Sequence, residues 1–260
     1  MIGNNTRLVT LVAVLVLLGL APAGALTGRE VAENVENREA GDTTHALVEM
    51  VLVDADGDTK SRIIEQYGRD AEGLSSNVIV FHRPASVEGT RFLTIERDDR
   101  DDDQWIYLPA LGRVRRIAGS EGGNSFMGTD FSYDDLKGWD IDDFSYELLR
   151  REEVGRWNTH VVEATPLPEA DVAYSRIVHF VDPESWIPVR IELYGEDGEL
   201  SKVNRVGRIE TVQGYPTIIE NTMENVRTGH RTELRVTNFA YNENLPEGLF
   251  SVRFLETGRP

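Results

Sequence analysis

From residue 45 onward the hydrophobic side chains recur at every second position, the period of half-buried strands rather than of helices. Val48, Met50 and Leu52 share one face of a first strand, and the polar run 54–58 (DADGD) turns the chain into a second strand around 62–67. Further strands are predicted at 77–82, 91–97, 104–108 and 112–117, and, after an interruption, at 146–153, 157–165, 174–181, 188–194, 200–213, 216–227 and 230–239. Asp-Gly at 197–198 and Thr-Gly at 228–229 mark hairpin turns. Some dozen strands joined by short polar turns predict an antiparallel meander, closed or nearly so, in one domain over residues 26–260. One helix precedes it: Thr27 and Glu30 have the spacing of a capping box, Val31 and Val35 lie four apart on one face of 27–39, and Gly41 is the expected stop.

One face of the strands is apolar, with Ile79 and Phe81, then Ile187, Val189, Ile191 and Leu193, then Leu234 and Val236, while Arg190, Glu192, Arg231, Glu233 and Arg235 point the other way. A sheet of this size must cover its apolar face, and only one helix and the irregular segment 118–143 are available. Either a thin lid leaves a cavity for an apolar ligand or the sheet closes on a filled interior, and periodicity leaves both open.

The chain begins with another kind of segment. Arg7 precedes an apolar run from Leu8 to Leu20 that ends in Ala21-Pro-Ala-Gly-Ala25, the three-part pattern of a signal peptide (1–25) cleaved after Ala25. The run is too short for the roughly 20 residues of a spanning helix, so an exported, periplasmic product is expected.

Composition narrows the chemistry. The 260 residues carry 27 basic against 45 acidic side chains, a net charge of −18, and no cysteine. Without residues 1–25 the balance is 26 against 45, or −19 over 235 residues. Thiol catalysis, cysteine-ligated metals and disulfides are excluded, a lipid anchor on cysteine is excluded, and so acidic a surface repels nucleic acid. Segment 54–65 lacks glycine at the sixth position of a calcium loop, and 98–103 reads as a solvated hairpin tip. The glycine-rich stretch 119–128 has no Gly-Lys-Ser/Thr and reads as a mobile loop, with Phe126, Met127 and Phe131 as apolar points of attachment. Five histidines are scattered over different strands without a hydrolase motif, so neither an enzyme nor a cofactor is indicated. Arg83, in His82-Arg83-Pro84, continues the stripe of Ile79 and Phe81 and sets a cation at its end.

The signal peptide, the short amphipathic helix, the x-Arg-Pro at a strand end and the aromatic strand ending in proline together resemble the LolA-like outer-membrane lipoprotein-sorting proteins. The most specific parts are 105–117 (WIYLPALGRVRRI) and 124–136 (NSFMGTDFSYDDL), which resemble a branch associated with RND-type exporters. The resemblance implies a mainly β (α+β) fold: an unclosed antiparallel half-barrel whose concave apolar face, under a helical or loop lid, takes acyl chains of lipoproteins or envelope lipids. The apolar strand face then predicts that Ile79, Phe81, Ile187, Val189, Ile191 and Leu193 line the cavity and that Trp105 and Tyr107 shape its wall, and the resemblance implies that Arg83 helps hold the lid shut. Phe126, Met127 and Phe131 are then lid residues. Transient contacts with membrane proteins, an inner-membrane RND-type exporter among them, are the partners implied for a carrier, and a sensor or adaptor domain of such an exporter is the alternative. The chain departs from the founding carrier in its long segment 118–143 and its acidity.

Overall fold

The computed structural model describes residues 25–98, 100–170 and 172–260. The expected signal peptide, save Ala25, lies outside them. No helix among the described residues is long and apolar enough to cross a membrane.

Helix α1 (Gly28–Glu36) starts where the sequence places it: the Thr27 hydroxyl accepts from the Glu30 amide, and the Glu30 carboxylate accepts from the Thr27 amide. It ends at Asn37, earlier than Gly41. The strands β1 (Thr43–Val53), β2 (Thr59–Ala71), β3 (Leu74–Arg83), β4 (Arg91–Ile95), β5 (Asp103–Leu108) and β6 (Arg113–Arg116) form a meander. A second meander runs through β7 (Phe144–Val154), β8 (Trp157–Pro166), β9 (Arg176–Val181), β10 (Pro188–Tyr194), β11 (Leu200–Val212), β12 (Tyr215–Asn225) and β13 (His230–Tyr241). Antiparallel pairing of β1 with β13 fuses the two into one thirteen-stranded sheet, not closed into a barrel, whose free edges are β6 and β7.

Those two edges are joined by residues 117–143, which cross one face of the sheet. We call that face inner. In the first half of the molecule it buries Ala46, Val48, Met50, Ile64, Ile79 and Phe81 against Phe126 and Tyr133 of the crossing segment. The stretch 119–128, expected to be mobile, is instead held by backbone hydrogen bonds from Phe126 to Phe131, Tyr133 to Asn124 and Asp134 to Gly122. Side chains fasten it further: buried Gln104 of β5 donates to the Tyr133 carbonyl, and Thr232 of β13 donates to Asp130 and accepts from its amide. On the far side, Asp135 accepts from Lys202 of β11 and from Tyr174, at 2.7 and 2.6 Å. Two of the three lysines in the chain, Lys137 and Lys202, are therefore spent on carboxylates of this segment.

The outer face of the first half is covered by the C-terminal residues, including helix α2 (Val252–Thr257). Ser251 caps its start and Gly258, at φ +66°, ends it in the left-handed region. This helix goes beyond the one helix the apolar pattern predicts. The tip at 98–103 is not merely solvated either: Asp103 is buried and ringed by Arg97, Arg100 and Arg116, and these guanidiniums, Arg100 foremost, hold its carboxyl below the usual range.

Beside the C-terminal cover, His45 of β1 stacks on Tyr67 and bridges Glu65 of β2 and Glu243 at 2.7 and 2.8 Å, and His82 of β3 reaches the second oxygen of Glu65. Burial alone would lower the His45 pKa, but the two carboxylates outweigh it and raise it. Burial alone would raise Glu65, but bonds from His45, His82 and Tyr67 hold it down. A raised histidine contributes stability that is complete below its unfolded value of about 6.5 and is lost as pH rises through the folded value. A depressed carboxylate contributes stability that is complete above about 4.3 and is lost as pH falls through the folded value. The pair is thus at full strength between about pH 4.3 and 6.5. Thermal melts at pH 5.5 and pH 8 are expected to show a larger loss of Tm at the higher pH in the parent than in His45→Gln; equal losses would remove His45 as the cause.

Candidate functional site: an apolar cavity beside an acidic cleft

In the second half of the molecule the inner face is not filled. Helix α1 lies across β7 and β8 there, and Gly28 permits the close approach: a Cβ at that position would stand 2.8 Å from the backbone of Glu147 and Leu148. Val31 is fully buried against Val162 and Val181, while Ala32 and Val35 face a cavity of about 280 Å³. The crossing segment closes it from the side with Trp139 and Ile141, and Phe144, Tyr146, Ala164 and Ile191 contribute to its floor and walls. The one imidazole in it is that of His179 on β9, edge-on to Trp139 at 6.0 Å between ring centres. Its ring makes no hydrogen bond among the described residues, and desolvation drives its pKa down to about 4, so it is neutral at physiological pH.

Trp139 and Phe144 also line a second, polar cleft of about 310 Å³. Its walls carry eight Asp or Glu side chains, Asp102, Asp140 and Asp143 among them, against three basic ones. Arg97 and Arg100 are directed to Asp103 and Lys137 to Asp134, so the basic groups are engaged in ion pairs. Burial first, then neighbouring carboxylates, push up the pKa of Asp143 in the cleft and of Glu36 at the rim of the apolar cavity; burial also raises Asp102.

The residues nominated from sequence divide between the two faces. Ile191 lines the apolar cavity and Leu193 is buried in the same cluster, with Phe144, Ala164 and Ile177. Ile187 and Val189 are not with them: a bulge between Pro188 and Arg190 breaks the alternation, and both pack with Val161, Val178 and Phe180 away from the cavity. Ile79 and Phe81 are on the inner face of the first half, where Phe81 meets Phe126 at 5.9 Å and Ile79 lines a separate recess of about 210 Å³ with Ala46, Phe92, Leu136 and Phe239. Trp105 and Tyr107, expected on the cavity wall, lie on the outer face against the C-terminal segment, and it is Ile106 between them that points inward. Arg83 makes no hydrogen bond to the crossing segment among the described residues. The pairing skips His82, so that Arg83 stands opposite Ile63 while Phe81 stands opposite Ile64, and Arg83 is exposed with no hydrogen bond among the described residues. Phe126, Met127 and Phe131 do sit on the crossing segment over the inner face, Phe126 fully buried.

Sequence reasoning passed over Ala32, Trp139, Ile141 and His179 as lining residues. The apolar face of α1, read from Val31 and Val35, is the signal that leads to the cavity. His179 carried one as well: it falls inside the apolar run 177–181, between Val178 and Phe180.

A protein-family model described as "-like: Uncharacterized protein" matches residues 73–257. No match is found among curated proteins. Among solved structures, a DUF1329 family protein from Desulfovibrio piger is 29% identical, with a TM-score of 0.84 over 88% of this chain and 97% of that one. A domain from Vibrio parahaemolyticus described as an outer membrane lipoprotein-sorting protein is also 29% identical, with a TM-score of 0.83 over 88% of this chain and 98% of that one. A LolA superfamily protein from Nitrosomonas europaea, 20% identical over 87% of this chain and 98% of that one, shares the fold at a TM-score of 0.68.

Proposed function

Since the chain belongs to the LolA-like family, we propose that it is an exported, periplasmic carrier that holds an acyl chain of a lipoprotein or envelope lipid and passes it toward the outer membrane. The observation that carries this reading is the apolar cavity between α1, Trp139, Ile141 and the inner face of β7–β10. Its volume of about 280 Å³ is near the lower end of the roughly 300–1,000 Å³ of small-molecule sites, which suits one chain rather than several. Ten methylenes buried at about 0.8 kcal/mol each supply about 8 kcal/mol, the scale of a micromolar Kd. That is enough to keep a chain out of water and weak enough to release it to an acceptor.

A sensor or adaptor domain would suit an interior that is filled throughout. Phe126 and Tyr133 fill much of the first half of this interior, but a recess of about 210 Å³ remains there beside Ile79 and a larger cavity lies under α1, and that favours the carrier.

Native mass spectrometry of gently purified protein is expected to find acyl lipid at about one per chain. Ala32→Trp, which thrusts an indole into the cavity from α1, is expected to remove it while leaving the circular dichroism unchanged. Lipid retained by a folded Ala32→Trp protein would sink the assignment of this cavity.

A further inference from the structure

The cavity and the cleft next to it differ sharply in chemistry, and together they constrain what can enter. The cavity offers an incoming molecule largely apolar walls and three uncharged hydrogen-bonding side chains, Trp139, Tyr146 and His179, that make no hydrogen bond among the described residues. The His179 ring is only partly shielded from solvent, and a hydrogen-bonding group in a largely apolar wall favours an occupant that supplies it with a partner. Its neighbours are Trp139, at ring-contact distance, and the aliphatic and aromatic residues of the lining. A polar group on the occupant can therefore pair with His179 in place of solvent.

The charge around the opening is of one sign. Trp139 and Phe144 are shared by cavity and cleft, so whatever protrudes from the cavity past these rings meets Asp140, Asp143 and Asp102. Glu36 stands on the rim of the cavity itself, and the nearby cation Arg29 is bound to Glu33 and Asp142 at 3.1 and 2.5 Å. A protruding carboxylate or phosphate would face these acids, and among the described residues of the two linings every cation is already paired with a carboxylate. A protruding ammonium would relieve a group of carboxylates that burial and mutual proximity already disfavour as anions.

Building on the carrier reading above, we infer that the occupant is an amphiphile without net negative charge, whose chain fills the cavity, whose hydrogen-bonding group meets His179, and whose uncharged or cationic end lies in the acidic cleft. Anionic amphiphiles of the same chain length are turned away. The neutral state of His179 fits this assignment, since a neutral ring can donate or accept a hydrogen bond but offers a carboxylate no counter-charge.

The test uses three probes with one C12 chain: monododecanoylglycerol, dodecyltrimethylammonium and dodecanoate. Each is titrated below its micellar concentration into delipidated protein at low salt and followed by tryptophan fluorescence, Trp139 being in the wall. The neutral and cationic probes are expected to bind at least tenfold more tightly than dodecanoate. The cationic advantage should shrink at 0.5 M salt, where surface charges are screened. Replacing Asp102, Asp140 and Asp143 together by asparagine is expected to bring dodecanoate to within about threefold of the neutral probe. His179→Phe is expected to weaken the glycerol ester about threefold to tenfold, the worth of one hydrogen bond, and to leave dodecyltrimethylammonium unchanged. Dodecanoate binding as tightly as the other two would overturn the inference while sustaining the carrier reading. Failure of all three probes would instead defeat the carrier reading on which it rests.

Discussion

Val189→Asp is expected to unfold the protein, not to empty its cavity. In a strict alternation Ile187, Val189, Ile191 and Leu193 share one face, and an aspartate at 189 would be a polar lesion in a ligand site. The bulge at Pro188–Arg190 changes that: Val189 is 1% exposed and belongs to the cluster of Val161, Val178 and Phe180, remote from the residues that line the cavity. The nearest cation, Arg190, lies over the Phe180 ring and is paired with Glu192, so it is already engaged. A carboxylate placed there loses its hydration without gaining a partner and must either protonate or drag water into the core, at a cost of about 4 kcal/mol or more. Against a total stability of about 5–15 kcal/mol for a domain, that is close to collapse. Ile191→Ser, two positions on, removes an apolar wall of the cavity itself; it is expected to cost about 1–2 kcal/mol and to lose lipid while remaining folded. Urea unfolding followed by tryptophan fluorescence separates the two. A Val189→Asp protein with an unchanged midpoint and no bound lipid would place Val189 in the cavity after all.

The contrast between those neighbouring positions shows where a sequence can be read and where it cannot. Strand positions were legible because a period of two survives in composition: β10 is found at 188–194 as expected, and the capping box of α1 is where Thr27 and Glu30 put it. Facing was legible only as long as the period ran unbroken. One extra residue at Val189, and another at His82, shifts everything beyond it to the other face, and neither carries a compositional mark. In β5 the difficulty is of another kind. Trp105, Ile106, Tyr107 and Leu108 are all apolar because both faces are covered, the inner by the crossing segment and the outer by the C-terminal residues, so there is no alternation to read.

The fold's least local features were the least legible. Pairing of β1 with β13 joins residues nearly two hundred positions apart, as Thr44 with Tyr241, and no window of sequence contains it. Yet that pairing decides which strands become edges. With β1 and β13 at the centre, the edges are β6 and β7, and the segment between them has to traverse the inner face. The apolar cavity is the space that this segment and α1 enclose against the inner face without filling. A glycine-rich composition suggested mobility there, but backbone hydrogen bonds and buried side-chain bonds such as Gln104 to the Tyr133 carbonyl are set by partners on distant strands.

Phe126→Ala should therefore behave as a core mutation, with a loss of about 3–5 kcal/mol, and not as the trimming of a loop. Phe126 is 1% exposed and touches three other rings: Phe92 at 4.9 Å, Tyr133 at 5.7 Å and Phe81 at 5.9 Å between centres. Its removal leaves a void between two elements that are otherwise fastened on either side of it. Thr232 holds Asp130, and Lys202 and Tyr174 hold Asp135, so the segment cannot collapse freely into the space, and a void that cannot close is the expensive kind. The local consequence is distinct from the global one. The amides of Phe126 and Tyr133, bonded to Phe131 and Asn124, should lose protection from hydrogen exchange, while those of β8 and β9 beneath the cavity keep theirs up to the lowered global limit. If the urea midpoint hardly moves and only 122–133 exchanges faster, the segment is a lid resting on the sheet. If the midpoint falls by the full amount, it is a strap built into the core. Entry to the cavity must then come past α1 and the Trp139 end of the segment, because opening at Phe126 would cost a large part of the molecule's stability.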